Sequence, residues 1–583
     1  MVKRTLGLIL AALMLLPAGA FAAPTTADLA RQIEMLTQQL NTLQEQLSEV
    51  QETTNDNADS VELLESSSAK WDEHSRFEFT GDYRFRMDYS DTDTEAFWSA
   101  GDIASAVSDM QAVTGMDVQS ILEVMGSYSA ADRKMMMENL PYALAGMLAS
   151  NPLSPVYGDM TAAQSYVTSA GVTSGYNMVP KDNYENDILY TNRFRLGMKA
   201  KVSDNLEFKG RLAMYKAWGM QSNPTSNGPY MFNSFTEMDG ATTRQPSDSI
   251  VRVDRAYINW TGVADLPVWF SIGRRPTTDG PPAHLRMGTG KRMATPVNFM
   301  DYAFDGATLG AVFENPFEFM GYSKIRFCYG RGFEAGPTEN GNELDDMDFG
   351  GLSWDLINKG PRFMNIQAFL AANIVNVPDG VDFMNPLEAY GVVEGDGYLD
   401  TENLGDIYHT SFVYMDKYAD LNYFLAGGWS RTDPDGVDEM GSTLLGSWWE
   451  DPGQKDGYCI YGGIRYDMPD QGLKFGLEYN YGTKNWISMT PAHDDMTQAK
   501  LATRGHVGEA YVIWDLPVGD MLSSKCKAFM RLGYQHYEYE YTGSGNWLGA
   551  PVDIDELDDP LNAQFFAPID SMDQVYLTME AFF

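Results

Sequence analysis

A short stretch of this acidic chain concentrates positive charge in a segment rich in proline and glycine. The stretch is GRRPTTDGPPAHLR, residues 273–286, in a chain whose formal net charge is −40. The basic side chains in it and directly after it are Arg274, Arg275, His284, Arg286, Lys291 and Arg292. Guanidinium groups bind carboxylate, phosphate and sulfate well, because their planar donors match the geometry of these anions. The pattern therefore predicts a site that attracts anions.

The backbone of this segment is restricted. Pro276, Pro281 and Pro282 each limit one backbone angle, and Gly280 permits a sharp bend. Two interpretations follow. The segment can form the narrowest part of a pore, where clustered Arg and Lys favour anions. Alternatively, it is a surface bracket whose arginines pair with acids of neighbouring loops and with lipopolysaccharide phosphates.

Other kinds of chemistry have little support in the sequence. Cys328, Cys459 and Cys526 are far apart, and neither a C-x-x-C nor an H-E-x-x-H motif occurs. We therefore expect no cofactor, no metal centre and no enzymatic activity. The acidic balance also argues against nucleic acid as a partner. Acidic runs at 339–348, 431–440, 491–496 and 551–560 are interpreted as solvated loops, with a calcium site as the alternative.

The N-terminal region predicts export. Residues 1–22 combine Lys3 and Arg4, an apolar run and an A-x-A cleavage signal, as a secretory signal peptide does. Within residues 25–70, apolar residues from Leu29 to Val50 alternate at spacings of four and three. This heptad pattern predicts an α-helical coiled coil in the periplasm, and the alternative is an amphipathic helix lying on another surface.

From residue 76 to residue 583 the period of the pattern changes to two, as in FEFTGDYRFRMDY and YTNRFRLGMKAKV. Short and long connections alternate, which is typical of outer-membrane barrels. The sequence therefore predicts an all-β fold, a transmembrane outer-membrane β-barrel of about 16 antiparallel strands with both ends in the periplasm. The expected strands lie near 76–89, 188–202, 206–218, 250–262, 267–274, 299–313, 321–330, 347–358, 361–375, 405–416, 420–431, 458–467, 471–483, 503–515, 525–541 and 571–583.

The alternation also predicts which side chains line the lumen. One side should be basic, with an inner wall that includes Arg84, Arg86, Arg193, Arg195, Lys199 and Arg211. Residues 275–298 form the third outer loop in this count, and we expect the loop to fold back into the barrel. It would then hold its arginines near the basic wall and favour anions.

A long insertion is predicted in the first outer loop, at 91–187. Its segment SAADRKMMMENLPYALAGML has Ser129 and Asp132 spaced as a helix cap, and it continues as a helix. The insertion is too long for an idle loop. It can plug the lumen, cap the outer mouth or pack against a neighbouring subunit, and the sequence does not distinguish these.

YTNRFRLGMKAKVSDNLEFKGRLAMYKAWG, VDRAYINW, PVWFSIGRRPTTDGPPAHLR and DYAFDGATLG carry a family resemblance. The chain resembles a poorly characterised family of porin-like outer-membrane proteins of sulfate- and metal-reducing Gram-negative bacteria, whose members carry an N-terminal coiled segment. The resemblance implies the fold and the outer-membrane location, and it implies no substrate.

The function expected from these observations is that of a porin. It would allow passive diffusion of small hydrophilic solutes with a bias toward anions, and it would be a homotrimer among outer-membrane lipid and lipopolysaccharide. One alternative is a structural barrel that serves as a scaffold for a separate redox partner in extracellular electron transfer. Another is an envelope tether, in which the coiled coil contacts peptidoglycan or a periplasmic partner.

Overall fold

A computed structural model describes residues 76–219, 251–276, 280–288, 292, 299–300, 303–336, 344–377, 384–447, 452–490, 495, 499–517 and 526–583. The predicted signal peptide at 1–22 and the predicted coiled coil at 25–70 lie outside the described residues. Both stay predictions from the sequence.

The described chain forms a closed barrel of 16 antiparallel strands, which confirms the predicted fold. Each strand pairs with its neighbours in sequence, and β16 pairs with β1. The first eight strands are β1 (Phe77–Thr94), β2 (Asp182–Lys201), β3 (Leu206–Ala217), β4 (Val251–Thr261), β5 (Val268–Pro276), β6 (Ala303–Glu314), β7 (Tyr322–Phe333) and β8 (Met347–Lys359). The remaining eight are β9 (Arg362–Val375), β10 (Asn403–Tyr418), β11 (Leu421–Pro434), β12 (Lys455–Met468), β13 (Leu473–Gly482), β14 (Gly505–Asp515), β15 (Lys527–Tyr539) and β16 (Ile569–Phe582).

The two ends of the barrel differ in the length of their connections. At one end, β8 joins β9 through residues 360–361 and β10 joins β11 through 419–420. The opposite end carries long loops, including the third loop (residues 277–302) between β5 and β6 and the seventh loop (residues 483–504) between β13 and β14. Short turns at one end and long loops at the other are typical of outer-membrane barrels, in which the short turns face the periplasm.

The outer surface of the barrel is an apolar band bordered by aromatic side chains. Aliphatic and aromatic residues at outward positions are exposed, for example Leu309, Phe327 and Leu477. Tyr458 and Tyr466 lie eight residues apart on β12, with both rings on this surface. That separation corresponds to roughly 20 Å along the barrel axis for a strand tilted by about 40°. The band matches the hydrocarbon thickness that outer-membrane barrels span.

Closure of the barrel depends on a close contact between its first and last strands. Gly81 and Phe583 exchange backbone hydrogen bonds of 2.7 and 2.9 Å. The Phe583 ring lies directly over Gly81, where an added Cβ atom would come within 2.3 Å of it. A side chain at position 81 would therefore displace this ring from the seam.

The insertion in the first outer loop is helical, and it is shorter than predicted because the two flanking strands extend into it. β1 continues to Thr94 and β2 begins at Asp182, so both strands extend beyond the predicted limits of 91 and 187. Between them lie five helices: α1 (Ala100–Thr114), α2 (Val118–Gly126), α3 (Ala130–Glu138), α4 (Leu140–Ser150) and α5 (Met160–Ser169). Ser129 caps α3 as predicted, since its hydroxyl accepts a hydrogen bond from the Asp132 amide. None of the described helices has the length and hydropathy required to span a bilayer.

Candidate functional site

The third loop enters the barrel and binds its far wall. Arg286 is 1% exposed, and its Nε atom donates a 2.8 Å hydrogen bond to the Glu509 carboxylate on β14. Its second contact, at 2.5 Å, is with the Asp495 carboxylate of the seventh loop. Because β5 and β14 lie on opposite sides of the closed sheet, the loop must cross the lumen to make these contacts.

Arg286 is one member of a buried network of ionised and phenolic side chains. Lys500 of the seventh loop bridges Glu509 and Glu478, the latter on β13. The Tyr576 hydroxyl on β16 donates a 2.5 Å hydrogen bond to Glu509. Each carboxylate is thus bonded to a cation, as buried charges require. We call Arg286, Glu478, Asp495, Lys500 and Glu509 the lumen network.

Backbone atoms hold the third loop in place as well. Arg465 on β12 donates a 2.7 Å hydrogen bond to the carbonyl of Leu285, and Arg531 on β15 donates one of the same length to the carbonyl of Arg286. Farther along the loop, Arg292 donates hydrogen bonds to the carbonyls of Gly360 and Pro361 in the β8–β9 turn. The loop is therefore anchored on one wall of the barrel and at its short-turn end.

The seventh loop packs beside the third and fills more of the lumen. Trp486 and Leu501 of the seventh loop are buried with Phe299 of the third loop and with Phe424 on β11. The Trp486 indole donates a 2.8 Å hydrogen bond to the Leu501 carbonyl. The third loop was expected to enter an otherwise aqueous lumen, whereas the seventh loop was not expected to do so. The side of the lumen next to β10–β16 is instead occupied by the two loops.

The inner wall on the other side of the barrel is basic, and its lysines are accessible to solvent, whereas Arg84, Arg86, Arg193 and Arg195 are buried. Lys199 on β2 and Lys209 on β3 are 34% and 36% exposed, and both contact Glu207. Arg255, Arg275 and Lys324 face the same side and are half-buried. Cations outnumber carboxylates here. The basic wall comprises Arg84, Arg86, Arg193, Arg195, Lys199, Lys209, Arg211, Arg255, Arg275, Lys324 and Arg326, with Glu78, Asp82, Asp88, Glu207, Asp254, Asp355 and Glu580 among them.

The side chains predicted for the basic wall all lie on the inner face, yet most have acidic partners. Asp82 accepts hydrogen bonds from Arg193 and Arg195 at 3.0 and 2.7 Å. Arg86 is bonded to Asp88 at 2.7 Å, and Arg211 to Asp254. Lys199 shares Glu207 with Lys209, and Arg84 is 2% exposed. The positive charge of the wall is therefore partly neutralised.

The two consecutive arginines of the opening motif separate onto different faces of the sheet. Both belong to β5, which ends at Pro276, and not to the loop that was predicted to begin at residue 275. Arg275 faces the lumen, whereas Arg274 pairs with Asp305 on the outward side at 3.0 Å. The prediction that both line the constriction is wrong for Arg274, because successive side chains of a strand point in opposite directions. Lys291 lies outside the described residues.

His284 lies in the lumen but does not add to its positive charge. The side chain is 4% exposed. Burial, reinforced by the positive charges of Arg465 and Arg292, lowers the pKa of His284 to about 3. A neutral ring near pH 7 adds no charge to the lumen, and the assignment of His284 to a constriction stays a prediction.

The acidic half of the lumen network was not predicted. Asp495 belongs to the acidic run 491–496, which was interpreted as solvated, but it is fully buried against Arg286. Glu478 is flanked by outward Leu477 and Tyr479, so the alternation already assigns it to the inner face. A carboxylate at mid-strand between two apolar residues is the signal that identifies such a site.

The helical insertion lies over the outer loops. Its buried core, which includes Trp98 and Val107, also packs against Leu387 and Leu561, from the β9–β10 and β15–β16 loops. The Trp98 indole donates a 2.9 Å hydrogen bond to the Asp558 carbonyl. Of the three placements left open by the sequence, these contacts match a cap at the outer mouth.

Arg133 joins this cap to the β15–β16 loop, and we expect Arg133→Met to loosen the contact. Its guanidinium is bonded to both oxygens of Asp559 and to the carbonyl of Met125. Losing hydrogen bonds to a charged group costs about 1.5–3 kcal/mol. Amide hydrogen exchange in α3 should therefore accelerate roughly 10- to 100-fold in the opened region. Lys134→Met is the control, and equal acceleration in the two variants would contradict the assignment.

The described part of the chain contains no candidate metal site. Within the described ranges, no group of three or more His, Cys, Asp or Glu side chains is arranged to hold an ion. Cys328, Cys459 and Cys526 form no disulfide bonds with one another.

Comparison with known proteins identifies a family without an assigned activity. Residues 183–583 match the family described as a protein of unknown function, DUF3373. Among solved structures, the in-vitro folded trimer form of OmpT, an outer-membrane protein of Vibrio cholerae, is similar at 10% identity and a TM-score of 0.34, over 87% of this chain and 99% of that chain. OmpT expressed in the outer membrane of the same organism is similar at 10% identity and a TM-score of 0.35, over 87% and 97% of the two chains. The comparison with curated proteins found no match.

Proposed function

The chain belongs to the DUF3373 family of unknown function, and we propose that it is an outer-membrane channel for small anionic solutes. The observation that carries the proposal is the asymmetry of the lumen. The third and seventh loops occupy the side next to β10–β16, whereas half-buried Lys199, Lys209 and Lys324 remain on the basic wall. Clustered cations in a narrow polar pore raise the local concentration of anions. This is a transport function and not an enzymatic one.

The third loop sets the size of the passage in this proposal. Its contacts with β12, β14 and β15, and with the β8–β9 turn, hold it away from β2–β4. Solutes would pass between the loop and the basic wall, and Arg275 and Lys324 would lie beside their path. The acids of the lumen network would have little influence on permeating ions, because each of them is buried against a cation.

Other parts of the predicted function rest on the sequence alone. Export through the signal peptide, a trimeric assembly and contacts of the coiled coil with peptidoglycan stay predictions. The bacterial group that the resemblance indicates also stays a prediction. The scaffold hypothesis is the alternative. It is favoured by the loops that fill one side of the lumen, because a barrel whose lumen is closed along its whole length would serve as a support.

Swelling of proteoliposomes in potassium gluconate separates a channel from a support. With valinomycin present, potassium follows freely, so swelling measures the entry of the anion. We expect swelling clearly above that of protein-free liposomes, and slower swelling in isosmotic glucose, because the lumen concentrates anions. Swelling no faster than in protein-free liposomes would indicate a sealed barrel and would favour the scaffold or the tether.

A further inference from the structure

A pocket lies in the basic wall, on the inner face of β5–β9. Its lining includes Arg275, Phe304, Thr308, Arg326, Gln367 and Phe369. About 90 Å³ of it can be reached by the centre of a water molecule. Since about 10–15 Å³ of such space holds one water, the pocket has room for a small organic molecule.

Glycines on the inner face create this recess. A Cβ atom added to Gly351 would lie 2.4 Å from the Cβ of Phe369, and one added to Gly330 would lie 2.7 Å from the Cβ of Phe304. Neither position can carry a side chain without a shift of its neighbour. The strands β7 and β8 therefore present bare backbone at the centre of the pocket, with aromatic rings at its edges.

Arg275 brings a positive charge to this pocket. Among the described residues, no carboxylate forms an ion pair with it. Its guanidinium lies over the rings of Tyr257 and Trp269, at 5.4 and 5.5 Å from their centroids, and its Nη1 atom is buried without a hydrogen-bond acceptor. Arg326, in the same pocket, is bonded to both oxygens of Asp355. Of the two arginines, Arg326 therefore has a carboxylate partner, whereas Arg275 has none among the described residues.

Lys324 adds a second cation beside Arg275. Its Nζ atom lies 5.2 Å from the centroid of the Trp269 ring. In the part of the chain that the structure describes, no carboxylate forms an ion pair with Lys324, whereas Lys199 and Lys209 share Glu207. Two cations around one indole ring, next to an aromatic recess, form a site with excess positive charge.

We propose that this pocket binds small organic acids that carry a ring, such as an aromatic carboxylate. Arg275 would bind the carboxylate through two parallel hydrogen bonds, since a guanidinium and a carboxylate match in this way. Phe304, Phe349 and Phe369 would pack against the ring, because offset and edge-on aromatic contacts are favourable. The inference rests on the proposed function to the extent that solutes reach the pocket through the lumen, and it names their chemical class.

Titration of the purified full-length protein with sodium benzoate tests the site without requiring conduction. Isothermal titration calorimetry in detergent should detect saturable binding of benzoate. Acetate and benzyl alcohol should bind at least tenfold more weakly, because each lacks one half of the recognised group. Equal binding of benzyl alcohol and benzoate would overturn the role of the cations.

The chain provides a matched pair of variants for this experiment. Arg275→Gln should weaken benzoate binding at least tenfold, whereas Arg274→Gln, the neighbour that faces outward and pairs with Asp305, should leave it unchanged. If Arg275→Gln does not fold, Lys324→Gln is measured in its place and should weaken binding at least threefold. The site would be contradicted if the variant that folds, Arg275→Gln or Lys324→Gln, bound benzoate with the same affinity as Arg274→Gln.

The outcome also separates the site from the channel. Anion-selective conductance without benzoate binding would leave the proposed function standing and remove the site. Benzoate binding that depends on Arg275, in a barrel that does not conduct, would keep the site and remove the channel.

Discussion

Replacing Arg286 with methionine is expected to lower the free energy of unfolding by about 3–5 kcal/mol, the usual cost of removing one partner from a buried ion pair. Methionine has a similar length but no charge, so Glu509 and Asp495 would stay buried without their cation. Unfolding can be followed by the shift in gel mobility of the barrel on heating, compared with the wild-type protein.

The same variant should change conduction. Without Arg286, the third loop keeps its backbone contacts with Arg465 and Arg531 but loses its two ion pairs across the lumen. We expect a looser loop, with noisier current and a single-channel conductance about twofold higher. A destabilised variant with unchanged conductance would show that the loop does not limit the passage.

Arg274→Met is the control for both measurements. Arg274 belongs to the same motif, and its pair with Asp305 is on the outward side, where the Asp305 side chain is 66% exposed. Ion pairs of this kind contribute at most about 1 kcal/mol. Losses of stability that are equal in the two variants would contradict the special position of Arg286.

Reversing two charges on the basic wall is expected to reverse the preference for anions. In the double variant Lys199→Glu, Lys209→Glu, the lumen charge changes by four units at side chains that are 34% and 36% exposed. At about 8 Å in water, each unit changes the energy of an ion by about 0.5 kcal/mol. Salt at 0.1 M reduces this effect about twofold.

Four units of charge therefore shift each permeating ion by about 1 kcal/mol, in opposite directions for chloride and potassium. The permeability ratio of chloride to potassium should fall roughly 30-fold in the variant, as read from reversal potentials, because the two shifts add to about 2 kcal/mol. The control is Lys134→Glu, Lys181→Glu, which makes the same change of charge in the first outer loop. An unchanged ratio in the lumen variant, or an equal change in the control, would contradict the role of the wall.

The barrel could be predicted from the sequence because its signal is local. The alternation of inward and outward residues along a strand requires only the strand itself, and each of the 16 strands overlaps a predicted one. The errors lie at strand ends. β1 continues five residues past Tyr89, and β6 begins at Ala303 instead of residue 299. Strands that continue beyond the membrane have no change of pattern to mark where they stop.

The site was less accessible because its contacts are distant in sequence. Arg286 and Glu509 are separated by 223 residues, and nothing near either residue identifies the other. The error at Arg274 had a local cause. The predicted β5 ended at Arg274, so the alternation of inward and outward side chains was not extended to Arg275, and both arginines were assigned to the constriction. The entry of the third loop into the lumen was expected, whereas its attachment to β14 through a carboxylate was not.

The most direct test of the proposed channel is the reversal potential of the purified protein in a planar bilayer under a gradient of potassium chloride. We expect a steady conductance with a reversal potential of the sign set by chloride, because Lys199 and Lys209 of the basic wall are exposed to solvent. A potential with the sign set by potassium would contradict the role of that wall. No conductance at all would contradict the channel itself.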